Sequence, residues 1–302
     1  MAGYPEDLRA LVEERLAGLE FSTTAATAGL DEAMRYSLLA GGKRIRPVLC
    51  LATGRATGTP PESLLPAACA IELIHTYSLI HDDLPAMDDD ELRRGRPTSH
   101  VVHGEDVAIL AGDGLFAEAI RLFCERQEGE PPRVLAALRE LVSATGVGGM
   151  VGGQYRDVTL TKPAAPGSEG EEAGGIDLAA LRELHSLKTG RLIAASVSVP
   201  LALLGVGEAA RTPYLRFADE LGVLFQIVDD ILDVTGSDEE LGKPGGSDER
   251  HGKLTYVSAL GLERARELAA ESHAKARAAL ATAEGETADL GLITDFIHTR
   301  QR

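Results

Sequence analysis

Leu79-Ile80-His81-Asp82-Asp83-Leu84-Pro85-Ala86-Met87-Asp88 sets three carboxylates at the end of a long apolar run. From about Pro66 the residues leading to it keep the three-and-four apolar spacing of a buried helix. Acids are costly there, because an unpaired buried charge either destabilises the fold or shifts its pKa until it is neutral. Adjacent acids also repel one another. A cation is needed among them, and an all-oxygen ligand set favours Mg²⁺ over Zn²⁺. A second stretch, Phe225-Gln226-Ile227-Val228-Asp229-Asp230-Ile231-Leu232-Asp233, repeats the pattern far downstream. Two carboxylate patches in apolar helices point to a multi-metal site that grips a polyphosphate.

Working outward, helical spacing recurs through most of the 302 residues and alternating runs are scarce, which predicts an all-α single domain, 1–302, of about ten helices. Leu8 to Leu19 reads as an amphipathic opening helix. Asp31 is the expected N-cap of a helix ending at Gly41-Gly42, and Pro47 fits an early helical position. Leu192 to Val206, interrupted by Pro200, reads as a central core helix, and another helix runs from about Tyr214 to the second cluster. Gly- and Pro-rich connections are expected at 54–61, 129–132 and 205–213. The small, acidic segment at about 161–175 reads as a flexible surface loop.

Lys and Arg total 30 against 47 Asp and Glu, a formal charge of −17, which argues against nucleic acid or an anionic membrane as partner. An anionic substrate must then be held by a local basic cluster and by metal. Cys50, Cys69 and Cys124 lack paired or metal-type spacing, so buried, reduced thiols are expected. The N-terminal residues lack a basic-then-apolar leader pattern. Leu192 to Val206, read as the longest apolar stretch, is too short to span a bilayer. A cytoplasmic protein without stable membrane insertion is the expectation.

The basic residues cluster around the acids. Asp82 lies two helical turns from His75 and one from Ser78. Pro85 should distort the helix, freeing Asp88 to converge with Asp82, while Asp89 and Asp90 fit a solvated turn and His81 a flanking polar group. Leu92-Arg93-Arg94-Gly95-Arg96-Pro97 follows at once; its arginines either bind phosphate or pair with the neighbouring acids. Ala40-Gly41-Gly42-Lys43-Arg44-Ile45-Arg46-Pro47 reads equally as a diphosphate pocket or as a basic surface turn. Asp229 and Asp233 share a helical face with Asp230 beside them and Gln226 about one turn earlier. Lys188-Thr189-Gly190, the glycine-rich loop holding Lys243, and Gly252-Lys253 complete the set.

In this order, together with Gly152-Gly153-Gln154 through Asp157, these stretches resemble the trans-isoprenyl diphosphate synthase family, from about residue 30 to the C-terminus. The resemblance implies a bundle of about ten or more helices around a deep central cavity, normally as a homodimer. It implies head-to-tail condensation of an allylic diphosphate with isopentenyl diphosphate on three Mg²⁺ ions. By that resemblance Asp82, Asp88 and Asp229 carry most of the metal ligation, with Asp83, Asp230 and Asp233 as direct or water-mediated support. Arg93 binds the allylic diphosphate; Lys43, Arg46, His75 and Arg94 bind isopentenyl diphosphate. Lys188, Lys243 and Lys253 hold the allylic leaving group, while Thr189 and Gln226 face the reacting carbons. A terpene cyclase generally replaces the second aspartate motif and has no need of the Lys43, Arg46 and His75 pocket. A non-catalytic synthase subunit does not require both clusters intact.

Product length is expected to be set along the helix leading to Asp82. Tyr77 and Ser78 stand five and four places before it, about one turn away, where a bulky ring would form a floor. Tyr77-Ser78 with Pro85-Ala86 inside the first motif resembles bacterial farnesyl diphosphate synthases. A C15 product is expected, with C20 the alternative.

Overall fold

The computed structural model describes residues 3–161, 178–236 and 253–300. The 161–175 segment, apart from the backbone of Thr161, and the loop carrying Lys243 fall outside the described residues. Helices make nearly all the regular structure, as the sequence predicts. The described strands are two-residue segments, Leu92–Arg93 and Arg96–Pro97, paired antiparallel.

The centre is α4 (Leu65–Asp82), whose run Ala67 to Ile74 is buried on every side. Such a helix belongs in the interior, since no polar stripe draws one face to water. It packs against α6 (Glu105–Arg126) and α3 (Ile45–Ala56). Pro85 follows too closely for the helix to continue, and the chain turns back so that Asp88 N donates to Asp82 O at 2.9 Å. The expected convergence of Asp88 on Asp82 is therefore built by the backbone.

A second layer is α10 (Arg191–Leu203), buried from Leu192 to Leu203 except for Ala194 and packed on α3, on α7 (Pro131–Thr145) and on α11 (Glu208–Thr235). Helix α11 carries the second cluster and lies along α13 (Leu262–Leu280). The remaining elements are α1 (Glu6–Ala17), α2 (Ala28–Leu38), α5 (Ser99–His103), α8 (Met150–Thr161), α9 (Leu178–His185), α12 (Tyr256–Leu260) and α14 (Ala288–Thr299).

Several expectations are corrected. Asp31 is not an N-cap: it lies inside α2, and its Oδ1 accepts from Phe21 N at 2.7 Å and Ser22 N at 3.3 Å, pinning the chain that enters the helix. The helix stops at Leu38, short of Gly41-Gly42. Helix α3 runs on to Ala56, and α11 starts at Glu208 with Pro213 inside it. Cys50 and Cys69 are buried, but Cys124 is exposed. Leu192 to Val206 is not the longest apolar stretch; Pro61–Asp82 and Pro131–Leu160 are long and apolar enough to cross a membrane. The first is mostly buried in the bundle, and the second is broken at Gly146–Gly149 between α7 and α8.

Candidate active site

A cavity of about 610 Å³ lies among α4, α8, α11 and the π-helical turn Ser186–Gly190. Asp82 enters it from α4 and Asp229 from α11, so the two clusters face one space. The π turn redirects the chain between α9 and α10 and presents Lys188 and Thr189 to the cavity, a common use of such turns. Close packing requires glycine on both sides of it. A Cβ on Gly153 of α8 would stand 2.3 Å from Lys188 N, and one on Gly222 of α11 would stand 3.1 Å from Gly190 Cα.

Most of the acids are paired. Arg93 forks onto Asp83, with Nε 2.8 Å and Nη2 2.6 Å from Oδ1 and Nε 2.9 Å from Oδ2. Lys253 Nζ donates to Asp88 Oδ2 at 2.7 Å, and Lys188 Nζ to Asp157 Oδ2 at 2.5 Å. Arg300 Nη2 meets Asp229 Oδ1 at 2.5 Å, its guanidinium stacked 4.3 Å from the centre of the Phe225 ring. Asp82 has no ion-pair partner among the described residues. Burial, with Asp88 nearby, holds its pKa at about 6 despite Lys188, Arg93 and Lys253 around it. The competing sequence reading, arginine paired with neighbouring acid, is thus realised for Arg93.

Asp230 is bonded within the protein. It is buried, with Oδ1 accepting from Gln226 Nε2 at 2.8 Å and Oδ2 from Tyr256 N at 2.6 Å. Thr189 Oγ1 donates to Gln226 Oε1 at 2.9 Å, which fixes the amide at its other end. This chain of hydrogen bonds fixes Gln226 and ties it to Thr189, which lines the cavity. Protein donors reach the oxygens of both Asp83 and Asp230. Asp233 is buried, 9% exposed, on the same face of α11 as Asp229.

Arg46, His75 and Arg94 also line the cavity. Arg46 Nη1 lies 3.4 Å from His75 Nε2. Burial, helped by Arg46 and Arg94, drives the His75 pKa well below its ordinary value, so the ring is neutral. Burial lowers Arg46 to about 10, which leaves it charged at neutral pH. Lys43 is exposed, with Nζ 5.2 Å from the centre of the Phe296 ring, and does not line the cavity. Tyr77 and Ser78 both line it. The Tyr77 ring stands edge-on to Phe116 at 5.3 Å and to His81 at 5.8 Å, held between α4 and α6.

Sequence reasoning missed three residues here: Glu72, Asp157 as the partner of Lys188, and Arg300. Glu72 had a signal, as a lone acid inside the apolar run before Asp82. Arg300 had none, because its approach to Asp229 depends on how α14 packs on α11.

An all-helical cavity rimmed by two carboxylate clusters and a ring of cations defines a class of enzyme that handles diphosphate esters with metal. The polyprenyl synthetase family model matches residues 27–292, and the chain belongs to that family of trans-prenyltransferases. It is 48% identical over 276 residues to a farnesyl diphosphate synthase of Geobacillus stearothermophilus, covering 90% of this chain and 89% of that one. It is 47% identical over 274 residues to a chloroplastic geranylgeranyl pyrophosphate synthase of Capsicum annuum, covering 90% and 71%. A geranyltransferase of Helicobacter pylori, solved with magnesium and isoprenyl diphosphate, superposes with a TM-score of 0.83 at 30% identity, covering 97% of this chain and 94% of that one.

The family depends on Mg²⁺, and the donor set here fits it. Among the described residues no three carboxylate, imidazole or thiolate groups form a cage for one ion. Mg²⁺ does not need one, since it commonly takes one or two carboxylates and completes its shell with water and phosphate oxygens. The elevated pKa of Asp82 marks a carboxylate short of positive charge. This sets a pH dependence. Its folded pKa of about 6 lies above the ordinary 3.8, so the metal-free folded protein binds this proton more tightly than the unfolded chain. Asp82's contribution to stability therefore falls as pH rises from about 4 to about 6, and bound metal reverses that loss. The rise in melting temperature produced by Mg²⁺ with inorganic diphosphate is expected to be small at about pH 5 and large at about pH 8. Equal shifts at both pH values would contradict the assignment.

Proposed function

We propose that the protein condenses isopentenyl diphosphate head-to-tail with dimethylallyl and then geranyl diphosphate, giving farnesyl diphosphate, C15. The observation that carries the chain length is Tyr77, whose ring stands at the cavity wall below Asp82. The C20 reading draws on the likeness to the Capsicum annuum synthase. A ring in the path of the growing chain favours the shorter product.

In this reading Asp82, Asp88 and Asp229 hold three Mg²⁺ ions together with the allylic diphosphate. When bound, the ions neutralise the departing diphosphate so that the allylic C–O bond can ionise. Lys188, Lys253 and Arg93 leave their carboxylate partners for phosphate oxygens. Gln226 and Thr189, locked through Asp230, turn their dipoles toward the developing cation without offering a nucleophile strong enough to trap it. Arg46, Arg94 and neutral His75, with Lys43 at the edge, complete the phosphate contacts. The apolar wall excludes water that would quench the cation to an alcohol. No side chain at the described site is placed as the final base, and the released diphosphate takes the proton.

The active unit is a homodimer in this reading. Val101, Val102, Ile109 and Leu110 expose an apolar strip along α5 and α6 suited to a second copy.

The test is diphosphate release by the purified protein with Mg²⁺. Release is expected only when dimethylallyl and isopentenyl diphosphates are both present. Release from geranyl or farnesyl diphosphate alone would indicate a cyclase, and no release in any mixture would indicate a non-catalytic subunit.

A further inference from the structure

Glu72 is the one acid in the buried body of α4, ahead of the cluster at its end, and it is 2% exposed. It stands one turn before His75, on the stripe that continues through Leu79 to Asp82. Its Oε1 accepts from Arg44 Nη1 at 2.7 Å. Arg44 is also buried, and its guanidinium donates to Glu13 Oε1 at 2.9 Å and to Leu38 O at 2.7 Å. These bonds hold a backbone that resists its own conformation. Arg44 has φ +53°, the left-handed region, which costs a residue with a Cβ free energy that surrounding contacts must offset.

That turn decides where the flanking cations point. Arg44 precedes the first turn of α3, so its left-handed backbone separates Lys43 on one side from Arg46 on the other. Arg46 reaches His75 in the cavity, and the Lys43 carbonyl is fastened by Tyr4 Oη at 2.9 Å. Two polar atoms beside this turn are buried without a hydrogen-bond partner among the described residues: Glu72 Oε2 and Arg46 Nε. The Glu72 carboxylate also supports the charge on Arg46 against the burial that lowers it.

We propose that Glu72 is the positioning residue of the isopentenyl diphosphate subsite: through Arg44 it fixes the left-handed turn that aims Arg46 at the cavity. This rests on the assignment of Lys43, Arg46, His75 and Arg94 to isopentenyl diphosphate. Glu72 does not touch the substrate. Its charge balances Arg44 and leaves Arg46 free to face the cavity as a cation.

The experiment measures KM for isopentenyl diphosphate and for geranyl diphosphate separately, in wild type, Glu72→Gln and Arg46→Gln. The glutamine keeps the volume and one acceptor but removes the charge. Glu72→Gln is expected to raise KM for isopentenyl diphosphate by about tenfold, the scale of one charge-assisted hydrogen bond, while KM for geranyl diphosphate and kcat stay within about twofold. Glu72→Asp, which keeps the charge, recovers part of the loss. Should Glu72→Gln fail to fold, Glu13→Gln loosens the same guanidinium from its half-exposed side and is expected to raise the same KM by a smaller factor. Equal increases in both KM values, or a lowered melting temperature with neither KM changed, would show a packing role and overturn the proposal. An unchanged KM for isopentenyl diphosphate in Arg46→Gln would instead overturn the subsite assignment itself.

Discussion

Replacing Asp82 with asparagine is expected to lower turnover by roughly three orders of magnitude without destabilising the fold. The two effects have one cause. Asp82 is half-buried at the cavity wall, lacks an ion-pair partner among the described residues, and has its pKa raised to about 6 by desolvation. At neutral pH its ionised form is therefore a liability to the metal-free protein, and a neutral isostere relieves it. The same uncompensated charge is what metal binding requires. The melting temperature of Asp82→Asn without metal should equal or exceed that of wild type, while its rise with Mg²⁺ and inorganic diphosphate largely disappears. A marked fall in metal-free stability would mean that Asp82 is held by structural contacts and is not a vacant ligand.

The second large effect is a change of product. Tyr77→Ala removes a ring that lines the cavity and is pinned edge-on by Phe116 and His81. The space lies about one helical turn below Asp82, where the tail of a C15 chain would meet the wall. With labelled isopentenyl diphosphate, Tyr77→Ala is expected to shift the main product from C15 to C20 or longer. Truncating a large buried aromatic costs about 3–5 kcal/mol of stability, so the assay belongs at low temperature. Tyr77→Ser gives a polar control of similar size. If both variants keep the wild-type product length, Tyr77 is not the floor.

The fold was largely legible because its signals are local. The apolar spacing of 65–82 and 191–203 specifies buried helices, and Pro85 marks where α4 must end. The misread boundaries lie where tertiary contacts override a local signal. Asp31 looks like a cap but is claimed by Phe21 N and Ser22 N, and Pro213 is carried inside a long helix that packs on its neighbours. The acid clusters were legible as a cost that only cations can offset. Which acids face the cavity could be read only through the family resemblance, because Asp82 and Asp83, or Asp229 and Asp230, are adjacent and differ only in the side of the helix they occupy. The partners that separate them come from distant segments: Arg93 for Asp83, Tyr256 for Asp230 and Arg300 for Asp229. Glu72 obeyed the reasoning applied to Asp82, and its role emerges only when Arg44 is seen to reach it across 28 residues of sequence.

The most direct measurement is the chain length of the extracted product when the purified protein is given dimethylallyl diphosphate, excess labelled isopentenyl diphosphate and Mg²⁺. The account predicts a dominant C15 alcohol after dephosphorylation, formed through a transient C10 species. A dominant C20 product would contradict the Tyr77 floor, and the absence of any elongated product would contradict the assignment of the two clusters to prenyl transfer.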